Sequence, residues 1–169
     1  MRRTDTRERI RATAMQLFIT QGYEHTTLAQ VADRLGITRP AVYHHFRSKE
    51  DVLTGAYADL LPLVTAAAGD PEPLDRLAEL LAGDFGDLLT CSRVNEHALQ
   101  GMPAAVGLRR AFEELAVRVA PGDDVESRMR GRLAIDTLMM AAIRGDRLGG
   151  TDTERRRVAL RLARSLVRP

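Results

Sequence analysis

Apolar residues return along this chain at intervals of three and four, the spacing of one face of a helix. From residue 5 to 21, Ile10, Ala14, Leu17 and Phe18 form such a stripe, with Arg7, Arg9 and Arg11 on or near the solvent side. Gly22 ends this first helix, and Tyr23 is expected to pack under the turn that follows. Leu28, Val31, Ala32 and Leu35 then fall at i, i+3, i+4 and i+7. Gly36 closes that helix where a left-handed backbone is needed, a conformation glycine adopts without steric cost. Thr38 reads as the N-cap of a third helix over 39–46, with Pro40 tolerated in its first turn. Val42 and Phe46 point inward, which leaves Arg39, Ala41, Tyr43, His44 and His45 for the outer surfaces. Two helices across a glycine turn, the second basic and aromatic outside, make a helix-turn-helix.

Ser48 begins a fourth helix, with Asp51 at the capping-box position and Glu50 adding charge that favours the N-terminal dipole. It is expected to reach about residue 68, kinked at Pro62, before a linker at 66–73. The stripe Leu74, Leu77, Ala78, Leu81 and Phe85 continues through Leu88 and Leu89. A short helix is expected over 92–100 and another over 104–119, ended by Pro121 and Gly122. In 133–143 only Asp136 and Thr137 are polar, so that helix is expected to be buried on several sides. The last helix, 152–167, carries Ala159, Leu162, Ala163 and Leu166 as one stripe and Val158, Leu160 and Val167 off it. The chain is therefore read as all-α. Residues 1–48 form the helix-turn-helix domain and 49–169 a helical domain, joined by the helix from 49 to about 68.

Two closing helices that are apolar on more than one face are hard to bury inside so small a domain. Packing with a second copy solves this, and Leu138, Met139, Ala142, Ala159, Leu162, Ala163 and Leu166 are the expected interface. The alternative is that the same residues close the domain's own core.

Composition adds little to the fold and more to the site. With 169 residues, 44% hydrophobic and 28% charged, the chain has the make-up of a globular protein. No apolar run is long enough for a membrane span, and the basic N-terminus lacks the apolar region of a signal peptide. Cys91 stands alone, in keeping with a reducing cytoplasm. Residues 1–55 carry nine Lys and Arg against six Asp and Glu, while 56–169 carry sixteen against seventeen. The positive end is the helix-turn-helix end, as phosphate binding requires. Lys49 is the single lysine among 25 basic residues, which suggests either a need for a compact ammonium at that position or chance.

The run TTLAQVADRLGITRPAVYHHFRSKEDVL, from Thr26 to Leu53, resembles the DNA-binding domain of TetR-family transcriptional regulators. The likeness covers roughly the first third of the chain; the remainder shares size and helical patterning only. It implies a homodimeric repressor on a palindromic, inverted-repeat DNA operator, released by a small-molecule effector that displaces the fourth helix. Residue by residue, it implies that Arg39, Pro40 and Ala41 meet base edges, with Arg39 able to bond guanine O6 and N7 together. It places Tyr43, His44 and His45 against the DNA backbone, Lys49 at a phosphate, and Thr27 as a hydroxyl donor to phosphate. Arg2 and Arg3 are read as a frayed terminus or as a basic arm for a minor groove.

Effector-pocket candidates are Leu61, Phe85, Leu89, His97, Met102, Phe112 and Met139, polarizable and apolar groups of the kind that line adaptable cavities. Core packing explains each of them equally well. His97 and Cys91 lack the rest of a metal shell, and Asp136 is expected to pair with an arginine. No metal or cofactor is expected. Control by a protein partner instead of a small molecule is the alternative within the same fold. An enzyme with a DNA-binding module is a further one, opposed by the absence of a phosphate loop, HExxH, a GxSxG elbow or a paired acid cluster.

Overall fold

The computed structural model describes residues 3–82, 85–143 and 148–168. Among the described residues the helices in order are α1 (Arg3–Gln21), α2 (Leu28–Leu35), α3 (Arg39–His45), α4 (Lys49–Ala68), α5 (Pro73–Leu81), α6 (Gly86–Val94), α7 (Glu96–Leu99), α8 (Pro103–Val119), α9 (Val125–Ile143) and α10 (Asp152–Val167). No strand occurs among the described residues, and none of their helices is long and apolar enough to cross a membrane.

Packing divides the chain into two compact units, 1–58 with 87–105 and 59–86 with 106–169. The division expected at 48/49 differs from this one in a specific way. The start of α4, together with α6 and α7, packs with the helix-turn-helix, although α6 and α7 lie well inside the expected second domain.

In the first unit, Ile10, Ala14 and Phe18 of α1, Val31 and Ala32 of α2, Val42 of α3 and Val52 and Leu53 of α4 are completely buried. The α1 stripe and the α2 periodicity thus set the core. Phe18 and Tyr23 meet edge to face with ring centroids 5.1 Å apart, so Tyr23 packs under the turn as expected. Arg3 is already helical; Arg2 lies outside the described residues. At Ser48 the hydroxyl accepts from Asp51 N at 3.2 Å, while the Asp51 carboxylate reaches past Ser48 to Arg47 N at 2.9 Å.

In the second unit, α9 packs most extensively against α10, and both also pack against α5. The expected stripe from Leu74 to Leu89 is two helices, α5 in this unit and α6 almost wholly in the first, and Phe85, half-buried, lies between them in the sequence. α6 runs on to Val94 and stops at Asn95. Periodicity carried no sign of either break, because the apolar spacing survives across the interruption. Asp136 pairs with Arg132 at 3.0 Å, one turn away, as expected. The helix over 133–143 is not buried on all sides within one chain. Ala134, Ile135, Leu138 and Ala141 are buried, while Leu133 and Met140 remain 47% and 43% exposed.

Candidate nucleic-acid interface

The α2–α3 turn is defined by caps at each end. Thr27 accepts from Gln30 N, and the Gln30 amide oxygen accepts from Thr27 N at 2.7 Å, a complete capping box. Gly36 sits at φ 65°, and its N–H returns to the carbonyls of Ala32 and Asp33. Thr38 then caps α3, its hydroxyl accepting from Ala41 N at 3.4 Å. Phe46 terminates α3 in an extended conformation, with its N–H on the Val42 carbonyl.

This frame fixes what α3 shows. Val42 and Phe46 are buried and anchor the helix; Arg39, Pro40, Tyr43 and His44 are exposed, and Ala41 and His45 half-exposed. The His44 and His45 rings stand edge to face at 5.4 Å. The predicted reading residues therefore share one short, rigidly capped helix. Arg39 is not free in space: its Nη2 lies 3.9 Å from Asp33 Oδ2 on α2. Arg7 of α1 lays its guanidinium over the Phe46 ring, 4.9 Å from the centroid, a cation–π contact that ties α1 to the end of α3.

Two predicted phosphate contacts have other work in this structure. The Thr27 hydroxyl is engaged in the α2 capping box. Lys49 donates to the carbonyls of Tyr23 at 2.8 Å and Glu24 at 3.3 Å, with its ammonium 4.4 Å from the centroid of the Tyr23 ring. A compact ammonium suits a pair of converging carbonyls under a ring face, which a planar guanidinium would fill poorly. The compact-cation reading of the lone lysine thus acquires a structural reason within the head itself.

Beside Lys49, the Tyr23 hydroxyl donates to Glu50 Oε1 at 2.8 Å. Burial, then this bond to a carboxylate, raises the phenol above its ordinary range. Burial alone would raise Glu50, but the bonds from Tyr23, its own backbone and Ser48 outweigh it and hold the carboxyl below its usual value.

One residue that periodicity could not flag closes the same turn from behind. Asn95, buried where α6 ends, accepts from Tyr23 N at 2.7 Å and donates to the carbonyls of Phe18 at 2.9 Å and Cys91 at 3.0 Å. The only hint in sequence is an asparagine at a helix break, a residue usually left in solvent. Cys91 is itself fully buried, and burial pushes its thiol up to about 12, so it stays protonated and unreactive at neutral pH.

Residues 10–56 match the family described as bacterial regulatory proteins, tetR family. Over 131 residues the chain is 29% identical to the HTH-type transcriptional regulator TcmR of Streptomyces glaucescens, covering 76% of this chain and 57% of that one. Among solved structures, the ketosteroid transcriptional regulator KstR2 of Mycobacterium tuberculosis superposes with a TM-score of 0.67 at 20% identity, covering 96% of this chain and 93% of that one. A SmeT–triclosan complex superposes with a TM-score of 0.58 at 18% identity, covering 95% and 90%. The match places a tetR-family DNA-binding domain at residues 10–56. The matched residues are those of the helix-turn-helix head described above. The chain spans a little over half the length of TcmR.

The expected pocket residues are divided between the two units. Leu89, His97 and Met102 belong to the first unit and Leu61, Phe85, Phe112 and Met139 to the second. His97 is exposed, Leu89 and Phe112 are buried, and the other four are half-buried. Two surface grooves of the second unit, of about 430 and 400 Å³, are lined by none of the seven.

The expected interface residues separate into three sets. Leu138, Ala159 and Ala163 are already covered within one chain, because the small alanines let α10 lie close against its neighbours. Met139, Ala142 and Leu166 are half-buried. Leu162, 47% exposed, lines an outer groove with Met140 and Val158, and Met129 and Leu133 of α9 are exposed as well. Periodicity drew these residues from both the inner and the outer faces of α9 and α10.

Proposed function

We propose that this chain is a homodimeric repressor that grips an inverted-repeat DNA operator with α3 and releases it when a small molecule enters the second unit. The observation that carries the reading is the capped α3, anchored by Val42 and Phe46 and presenting Arg39, Pro40, Tyr43 and His44 outward. Arg39 is proposed to take guanine O6 and N7 together; Pro40 and Ala41 keep the helix slim at the groove floor. Tyr43, His44 and His45 are proposed to lie against the DNA backbone, with the N-terminus of α2 at Thr27 facing a phosphate. In this reading Lys49 serves DNA binding chiefly by holding the α1–α2 turn against the start of α4.

Dimerisation rests on the outer face of α9 and α10. Met129, Leu133, Met140, Val158 and Leu162 are exposed apolar residues of these two helices, and Met140, Val158 and Leu162 line one groove, which a second copy about a two-fold axis is proposed to cover as a four-helix bundle. Two heads so joined would meet half-sites about 34 Å apart, one turn of DNA. Replacing both Met140 and Leu162 with Glu is expected to leave a folded monomer in sedimentation at micromolar concentration, since each buried apolar side chain contributes about 1.5–3 kcal/mol. A dimer that persists in this variant would move the interface elsewhere.

Support for a small effector comes from SmeT, whose structure holds triclosan, and from KstR2, a regulator named for ketosteroids. The effector is proposed to enter the apolar interior of the second unit, near Leu61, Phe85, Phe112 and Met139. α4 belongs to both units, so a shift of its C-terminal half would reach the head.

Selection of bound sequences from a random DNA pool tests the reading, followed by titration of the winner at several salt concentrations. An inverted repeat is expected. Arg39→Ala should then lose about 1–3 kcal/mol on that site while keeping most of its affinity for unrelated DNA. Recovery of no motif, or equal losses on both DNAs, would remove Arg39 as the base reader.

A further inference from the structure

Asp33 is the sole acidic residue between Glu24 and Glu50, in a stretch holding Arg34, Arg39, Arg47 and Lys49. It sits in the last turn of α2, where the helix dipole disfavours negative charge. Its carboxylate lies 3.9 Å from the Arg39 guanidinium. Both backbones are pinned: the Asp33 carbonyl accepts from Gly36 N at 3.3 Å, and Arg39 is the first residue of a helix capped by Thr38. An acid that weakens both the local dipole and the positive field of a phosphate-binding motif needs a reason to be there. The exposed pair itself contributes little to folding.

We propose that Asp33 is a specificity-determining residue that acts through Arg39. This rests on the reading of Arg39 as the base-contacting arginine. An arginine side chain is long and rotatable, and a fixed carboxylate narrows the orientations its fork samples before contact. At 3.9 Å the pair steers the guanidinium without consuming it, and five N–H donors suffice for guanine O6 and N7 with others left facing Asp33. Where the base offers no such pair of acceptors, the guanidinium stays on Asp33. The motif then meets unrelated DNA with one positive charge neutralised. Asp33 thus sharpens the guanine preference from both directions, by orienting Arg39 for the right base and by lowering affinity for the wrong ones.

The test compares the full chain with Asp33→Asn, Asp33→Glu, Arg39→Ala and the Asp33→Asn/Arg39→Ala double variant. Each is titrated against the selected operator, operators substituted at the guanine that Arg39→Ala identifies, and an unrelated duplex. Asp33→Asn is expected to bind the unrelated duplex about two- to fivefold more tightly and to lose a similar factor of discrimination at that guanine, the range an exposed ion pair supports. Its thermal unfolding should match that of the parent, and Asp33→Glu should restore part of the discrimination. In the Arg39→Ala background, Asp33→Asn should change no base preference. If Asp33→Asn discriminates as the parent does while Arg39→Ala does not, the Asp33 role is wrong and the Arg39 reading stands. An Asp33→Asn loss that persists in the Arg39→Ala background overturns it as well. If Arg39→Ala itself keeps full discrimination, both fall.

Discussion

Asn95→Leu is expected to destabilise the chain by about 2–4 kcal/mol and to weaken DNA binding, although Asn95 lies some fifty residues beyond the helix-turn-helix. From a buried position its side chain accepts from Tyr23 N and donates to the Phe18 and Cys91 carbonyls, with a longer contact to Cys91 Sγ. Leucine is similar in size, so little packing is lost and the effect isolates the polar contacts. The Cys91 carbonyl keeps the bond from the backbone N–H of residue 95 at 3.1 Å. The Tyr23 N–H loses its acceptor, and leaving a buried donor unmet costs about 1–3 kcal/mol by itself. The same turn carries the Lys49 and Glu50 contacts, so its loosening reaches the start of α4. Urea unfolding at fixed protomer concentration measures the first effect, and operator titration the second. A change under 0.5 kcal/mol would show that these bonds are replaced by water at no cost.

Gly131→Ala is expected to cost about 2–3 kcal/mol in the second unit, against the usual helical preference for alanine of about 1 kcal/mol. Gly131 is buried on α9, and a Cβ there would overlap the Ala116 carbonyl oxygen of α8 and lie 2.9 Å from its carbon. Backbone cannot yield as a flexible side chain does, so the two helices must separate and open the packing around them. Gly107→Ala provides the contrast. Its Cβ would meet only Leu61 Cδ2 at 3.7 Å, an ordinary contact in mid-helix α8, so that variant should be neutral or more stable. Thermal unfolding of the two variants side by side checks the prediction; equal stabilities would mean that the α8–α9 approach is not tight. If Gly131→Ala also lowers the dimer population, α9 transmits the displacement to its outer face.

The head was legible because its instructions are local. Thr27, Gly36, Thr38 and Ser48 each act on backbone groups within three or four residues, and Leu28, Val31 and Ala32 repeat at the helical period. Caps, turn and stripe therefore converge on one answer that can be read in a line of text. The resemblance of Thr26–Leu53 then named the family, and the exposed residues of α3 followed from the anchoring of Val42 and Phe46.

Tertiary structure alone decided the rest. Asn95 and Asp33 matter through partners brought to them by folding, across 72 and 77 residues in the first case and across a turn of opposite helices in the second. Lys49 and Thr27 looked like free phosphate donors until their bonds within the head were visible. The apolar closing helices announced an excess of hydrophobic surface, but an amphipathic stripe does not say which neighbour covers it. Only the packing of α9 against α10 separates Leu138, Ala159 and Ala163, hidden inside one chain, from Leu133, Met140 and Leu162, left outside. Local hydrogen bonding and periodicity are properties of neighbouring residues and survive in the sequence. Which long-range partner satisfies a buried amide or covers an apolar face is chosen only when the helices meet.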